Sequence, residues 1–349
     1  MLLSKKLLLQ KFDPLMFLYP YTNINISQVQ DFYATRDGVN LFPGSFPSAK
    51  KWKPPVYGNR RYLTVAMTTT SDPIVVATSS NGLGWTQSGT IPSGRSLLYA
   101  PIVFDGTYFY VATRTLSGAY TAAVQIYRSE DGATWTQVCD ISAPSQWFGN
   151  YGFFAYGNGT FVLAGEGTGS NKDVMALFSV DGCTTWTTSG LSYVSQYTTT
   201  HTNSLCWVNG YFIISIWSDG RLSSSLMGHP RTDTYRSADG NTWTSEISGP
   251  SAPGPIISNG NVGFTSYSYQ NTGGSITTDG RTYTDVNLGG IATGYTGSSI
   301  NNKYACRNGY DQTTSEITLY RYSLIDGTNR VTTLSLSSPH SFVNPAIGL

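Results

Sequence analysis

Eight aromatic residues, Tyr120, Trp147, Phe148, Tyr151, Tyr193, Tyr197, Tyr269 and Tyr310, are the side chains of this 349-residue chain best suited by type and setting to hold a ligand. They stand in polar stretches such as RTLSGAYT (114–121), CDISAPSQWFGNYG (139–152) and GLSYVSQYTTTHTN (190–203). Rigid rings supply contact area at small entropic cost, and Ser, Asn and Gly around them supply adaptable hydrogen bonds. Groups that would make or break bonds are sparse. The three histidines, His201, His229 and His340, show no HExxH or HxH spacing, and no Walker loop, nucleophile elbow or dinucleotide fingerprint occurs. Cys139, Cys183, Cys206 and Cys306 lie far apart with no CxxC pair. They read as small buried hydrophobes, with a disulfide left open. No metal site and no cofactor are expected. The chain has four glutamates, Glu130, Glu166, Glu246 and Glu316, and no spacing groups them with Arg114, Arg221, Arg231 or Arg307.

The elements that must carry these residues are announced by a repeat. The segments SSNGLGWTQ (79–87), SEDGATWTQ (129–137), SVDGCTTWTT (179–188), SADGNTWTS (237–245), TTDGRTYTD (277–285) and SLIDGTNRVTT (323–333) share one pattern. Their turn residues Asn81, Asp131, Asp181, Asp239, Asp279 and Asp326 are 50, 50, 58, 40 and 47 positions apart, a spacing that fits four-stranded propeller blades. Ahead of each box comes a polar turn flanked by alternating apolar residues, as in FDGTYFYVATR and YGNGTFVLAGE. Asp-Gly and Asn-Gly tolerate the positive φ that a tight hairpin needs. Each unit therefore reads as strand, tight turn, strand, variable loop, strand, Asp-Gly turn, strand. Six such units make a six-bladed, all-β propeller over 52–340, with an N-terminal extended arm over 1–51 and a C-terminal tail over 341–349.

The box explains itself mechanically. Asp or Asn bonds the backbone N–H groups of its own turn, and the following Gly takes the left-handed conformation. Trp85, Trp135, Trp186 and Trp243 offer large apolar bodies to pack between sheets. These residues are structural, and the aspartates are expected neither to catalyse nor to bind calcium. On this plan the boxes occupy one face of the ring. The long loops, with most of the aromatics, occupy the other.

The boxes resemble the BNR/Asp-box repeat of sialidases and related propellers, one residue shorter before the Gly, over roughly 290 residues. The pairing of YGNGTFV with SxDGxTWT also looks like propeller repeats of bacteriophage tail and other virion proteins. The sialidase likeness implies a Tyr nucleophile, an Asp acid/base, a Glu beside the Tyr and three arginines for a substrate carboxylate. The chain departs from that set: no Arg-Ile-Pro signature is present, the closest stretch being Gly58-Asn59-Arg60-Arg61-Tyr62. The phage likeness implies a non-enzymatic structural or adhesion protein of the virion, an extracellular particle, that binds a host surface glycan or a neighbouring virion protein through the loop face. A sialidase-like glycoside hydrolase and a cellular or secreted assembly scaffold are the alternatives.

Composition narrows the partners. Hydrophobic residues make up 40% and charged residues 12%, with a net charge of +1. No basic stripe exists for a phosphate backbone, so nucleic acid is not expected as a partner. No apolar run is long enough to span a membrane. The start, MLLSKKLLLQKFDPLMFLYPY, is broken by Gln10, Lys11 and Asp13 and is followed by no small-residue cleavage site, unlike a signal peptide. Leu7, Leu8, Leu9, Phe12, Leu15, Met16, Phe17 and Leu18 with Pro14 and Pro20 read as an apolar arm that docks the propeller onto other virion proteins, the bland alternative being that it packs on the propeller's own flank. A homo-oligomer is compatible with that role.

Overall fold

A computed structural model of the chain describes residues 14–18, 20–21, 29–69, 71–92, 94–117, 120–142, 152–166, 173–191, 193, 200–218, 231–249, 255–266, 273–288, 296–311, 316–335 and 341–342. Every regular element among them is a strand. The fold is an all-β propeller. Residues 56–91 form the first unit, with strands Val56–Gly58, Arg61–Met67, Ile74–Ser79 and Thr86–Ile91 paired antiparallel in chain order. Residues 96–142, 152–188, 200–249, 256–287 and 296–335 repeat this four-stranded meander as units two to six. Phe153 of unit three lies parallel to Ala100 of unit two, so neighbouring inner strands stand side by side.

The second strands explain why the apolar runs are continuous rather than alternating. Strand Thr160–Glu166 is buried along its whole length. Its Phe161 and Leu163 pack toward unit two, while Val162 and Ala164 pack toward units four to six. In unit two, Phe109 and Val111 face unit one while Tyr110 and Ala112 face unit three. A sheet covered on both faces needs apolar side chains at both phases of its period-two pattern. The core is thus a set of wedges between adjacent sheets. Phe212, fully buried and edge-on to Trp207 at 4.8 Å, sits in the largest wedge. Phe212→Ala is expected to cost about 3–5 kcal/mol, read from the denaturant midpoint. A loss under about 1 kcal/mol would mean the wedge collapses to fill the gap.

The described strands between residues 15 and 52 are not a free arm. Strands Met16–Leu18, Val29–Thr35 and Phe42–Trp52 pair antiparallel. Leu15, Met16, Phe17, Phe32, Ala34 and Phe46 are buried, most of them packing with Tyr62, Ala77 and Trp85 of unit one. Over the described part of the segment the apolar residues pack on the propeller's own flank, the alternative to a docking arm. Leu7, Leu8, Leu9 and Phe12 lie outside the described residues. The turn between the last two strands is another Asp box: Gly38 N donates to Thr35 Oγ1 (2.9 Å), and Val39 N and Asn40 N donate to Asp37 Oδ1 (2.9 and 2.8 Å).

This further sheet stands between units six and one. On one side Asn301 Nδ2 donates to Arg36 O and Arg321 Nη1 to Asp37 O, each at 2.9 Å. The same seam joins unit four to unit five, where Asn209 Nδ2 donates to Thr278 O and Arg236 Nη1 to Asp279 O. On the other side Ser45 N donates to Leu83 O of unit one (3.0 Å). The strand pair Pro20–Tyr21 and Ser341–Phe342 adds a contribution from the C-terminal end, so residues 341–342 are strand and not simply a tail. The six units of the repeat are present, and the ring they leave open is closed by a sheet the repeat does not include.

Candidate functional site

The two faces of the ring are built differently. On one lie the Asp-Gly turns, five to seven residues long between third and fourth strands. In unit two, Ser129 Oγ donates to Asp131 Oδ1 (3.1 Å), Gly132 N donates to Ser129 Oγ (2.8 Å) and Ala133 N donates to Asp131 Oδ1 (2.8 Å). Trp135 Nε1 then closes the turn on Gly132 O (3.2 Å). Gly132 has φ +77°, and a Cβ there would meet Leu63 of unit one at 2.7 Å, so only glycine fits both the turn and the seam. The carboxylates hold their charge easily. Hydrogen bonds from the Thr185 side chain and backbone bring Asp181 down to about 2, and those from Ser323 and Thr328 bring Asp326 to about 2. Asn81, Asp131, Asp181, Asp239, Asp279 and Asp326, with Trp85, Trp135, Trp186 and Trp243, all serve these turns.

At the opposite ends of the sheets, second and third strands are separated in the chain by two residues in unit two (Ser117 to Tyr120) and by twelve in unit four (Ser218 to Arg231). Of the aromatic candidates, Trp147, Phe148, Tyr151, Tyr197 and Tyr269 lie outside the described residues. Tyr120 and Tyr310 belong to strands Tyr120–Ser129 and Tyr304–Asp311. Tyr193 is buried, donates its hydroxyl to Asp233 Oδ2 at 3.0 Å and meets Tyr235 edge-on, which makes it a packing residue.

The glutamates do not converge. Glu130 is exposed within an Asp box. Glu246 accepts from Arg236 Nε through one oxygen and from Arg281 Nε through the other, each at 2.7 Å. Glu166 is buried near Arg114, another buried residue, and its charge favours the guanidinium that desolvation opposes. Glu316 opens the third strand of unit six, opposite Asp311. Arg307 is buried in the second strand of that unit, and desolvation pulls its pKa down. Among the described residues no three His, Cys, Asp or Glu side chains cluster as a metal site. The four cysteines are free, and burial pushes the Cys206 and Cys306 thiols up to about 12. No helix among the described residues is long and apolar enough to cross a membrane.

At the hub, the inner strands of units one to five surround a cavity of about 210 Å³ lined by Val56, Tyr57, Ile102, Phe104, Tyr156 and Trp207 among others. These residues precede or flank the first turns, which places the cavity toward the Asp-box end. Lys53 and Tyr99 come just before lining residues Pro54 and Ala100 in the chain. Tyr99 is 37% exposed and packs on Phe153, and the Lys53 ammonium lies 5.4 Å from its ring centroid. Sequence reasoning missed Lys53. Its one signal was a lysine ahead of the Pro54-Pro55 pair, in a stretch that pairs with the second strand of unit one.

No known family matches the chain, and no curated protein matches it. Solved structures with a similar fold include the fucose-recognising lectin of Aleuria aurantia, a six-bladed β-propeller (TM-score 0.48, 11% identity, 81% of this chain and 94% of that one). Others are an α-L-arabinofuranosidase of Fusarium graminearum (0.47, 11%, 93% and 98%) and the sialidase of Trypanosoma rangeli (0.46, 13%, 91%). The chain spans 58% of the sialidase's length.

Proposed function

We propose that this protein is a non-enzymatic recognition propeller of a bacteriophage virion, tail- or vertex-associated, which binds a host surface glycan through the face opposite the Asp boxes. The observation that carries the reading is the contrast between the faces. One is uniform, with its polar groups bonded within turns and seams. The other carries connections of unequal length on rigid sheets, the usual arrangement for recognition. Binding rather than hydrolysis is supported by Glu246, whose two oxygens each hold an arginine, and by Glu166, whose charge supports Arg114. Most glycoside hydrolysis needs two carboxyl groups placed across a substrate bond, and the sialidase type, with its Tyr nucleophile, still needs a free Glu beside that Tyr.

A glycan array with the full chain, run beside a fluorogenic sialoside assay, tests this. Saturable binding to a defined glycan without turnover is expected. Turnover abolished by Glu166→Ala or Glu316→Ala would overturn the non-enzymatic reading. Peptide mass spectrometry of purified particles tests the virion placement, which fails if the chain is missing from every particle fraction.

A further inference from the structure

Lys53 is an energetic oddity. It is partly buried, its ammonium lies over the ring of Tyr99, and among the described residues that ammonium has no carboxylate or hydrogen-bond acceptor as partner. Its charged neighbours are of its own sign. Lys51 lies two positions earlier on the same stretch, and Arg114 comes from the second strand of unit two. The nearby carboxylate, Glu166 of unit three, acts on Arg114. Desolvation, then Arg114 and Lys51, lower the Lys53 pKa to about 8, so it is still mainly charged at neutral pH. A partly desolvated cation without a counter-charge costs stability unless something else supplies the charge.

The exposed ring beside it adds a second requirement. Tyr99 packs on Phe153 at 5.4 Å with the rings tilted by 51°, the Lys53 ammonium lies over part of its ring, and the rest of the ring is exposed next to that charge. A sugar ring can lie on that surface with a charged substituent toward Lys53. We propose that Lys53 and Tyr99, with Arg114 and Lys51 raising the local positive potential, form a subsite for an acidic saccharide, the ring on Tyr99 and its carboxylate or sulfate on Lys53. This rests on the glycan-binding reading and narrows it to acidic glycans.

The test is isothermal titration of the full chain with three probes: oligogalacturonate for carboxylate, a sulfated oligosaccharide for sulfate, and an uncharged maltooligosaccharide. An acidic probe is expected to bind on the order of 10- to 100-fold more tightly than the uncharged one, the span of one charge-assisted contact. Lys53→Gln should remove that preference, Lys53→Arg should keep most of it, and the exposed Lys51→Ala should weaken it less. Tyr99→Leu should weaken both kinds of probe. Affinity for the acidic probe should also fall as pH rises through about 8, because the ammonium loses its proton there. Unchanged melting temperatures would show that the variants fold.

Equal binding of charged and uncharged probes, unaltered in Lys53→Gln, overturns the subsite and leaves glycan binding standing. Binding of no saccharide overturns both. In that case thermal protection by inorganic sulfate that Lys53→Gln abolishes would show an anion site whose ligand is not a sugar.

Discussion

A chain shortened to begin at residue 53 is expected not to fold cooperatively. The deletion removes Leu15, Phe17, Phe32, Ala34 and Phe46 and bares Tyr62, Ala77 and Trp85, which they cover. Truncating one large buried side chain costs about 3–5 kcal/mol, and a whole domain is stable by only about 5–15 kcal/mol. The loss of four such side chains, with Ala34, therefore exceeds the margin. The cut also takes away the Asp37 turn that receives Asn301 and Arg321, leaving an edge of unit six without its neighbour. Circular dichroism melting and gel filtration of the two chains provide the check. A soluble monomer melting within about 3 °C of the full chain would show that residues 15–52 are dispensable. A cut that stops at residue 13 leaves the sheet whole and tests docking onto particles separately.

Acid should destabilise the ring in the range where ordinary carboxylates are already finishing their titration. Asp131 and Asp181 are held low mainly by turn hydrogen bonds. In Asp37, Asp239 and Asp279 desolvation pushes upward but is outweighed by backbone N–H bonds, and Asp326 is held low by Ser323 and Thr328. A carboxyl with a folded pKa below its unfolded value stabilises the fold at every pH above the unfolded value. That contribution fades as pH falls from about 4 toward 2. Six turns shifted the same way should make the melting temperature drop steeply through that window and stay flat from pH 5 to 7. Asn81 provides an internal control, because it accepts from Leu83 N and Gly84 N as an amide that has no proton to gain. Asp181→Asn should therefore lower stability at pH 7 and reduce the acid slope. A slope identical to that of the unaltered chain would mean that the turns do not carry the acid sensitivity.

The six boxes were legible because each combines a hydroxyl residue, Asp or Asn, Gly and, in most, an aromatic at short range, all set by local turn chemistry. The box at Thr35-Arg36-Asp37-Gly38 obeys the same chemistry but has Leu41 and Phe42 where five of the others place Trp or Tyr. Ahead of it, strand Pro20–Tyr21 takes its partner from Ser341–Phe342. That pairing leaves no mark in local sequence. The proposed binding site was legible only as a face. Lys53 has meaning through Tyr99 and Arg114 of the next unit, and Tyr193, polar-tipped and in a variable stretch, turned inward because Asp233 offered its hydroxyl a buried acceptor.

The pairing of Pro20–Tyr21 with Ser341–Phe342 also sets a timetable for synthesis. About 320 positions separate the partners, so a growing chain can complete each unit in turn yet cannot form this pair until residues 341–342 leave the ribosome. Until then the N-terminal sheet and unit six each present an uncovered flank, and an unpaired edge is where strands of other chains attach. High yield should thus depend on slow growth at low temperature, which gives each nascent chain time to pair its own residues 341–342 before it meets another.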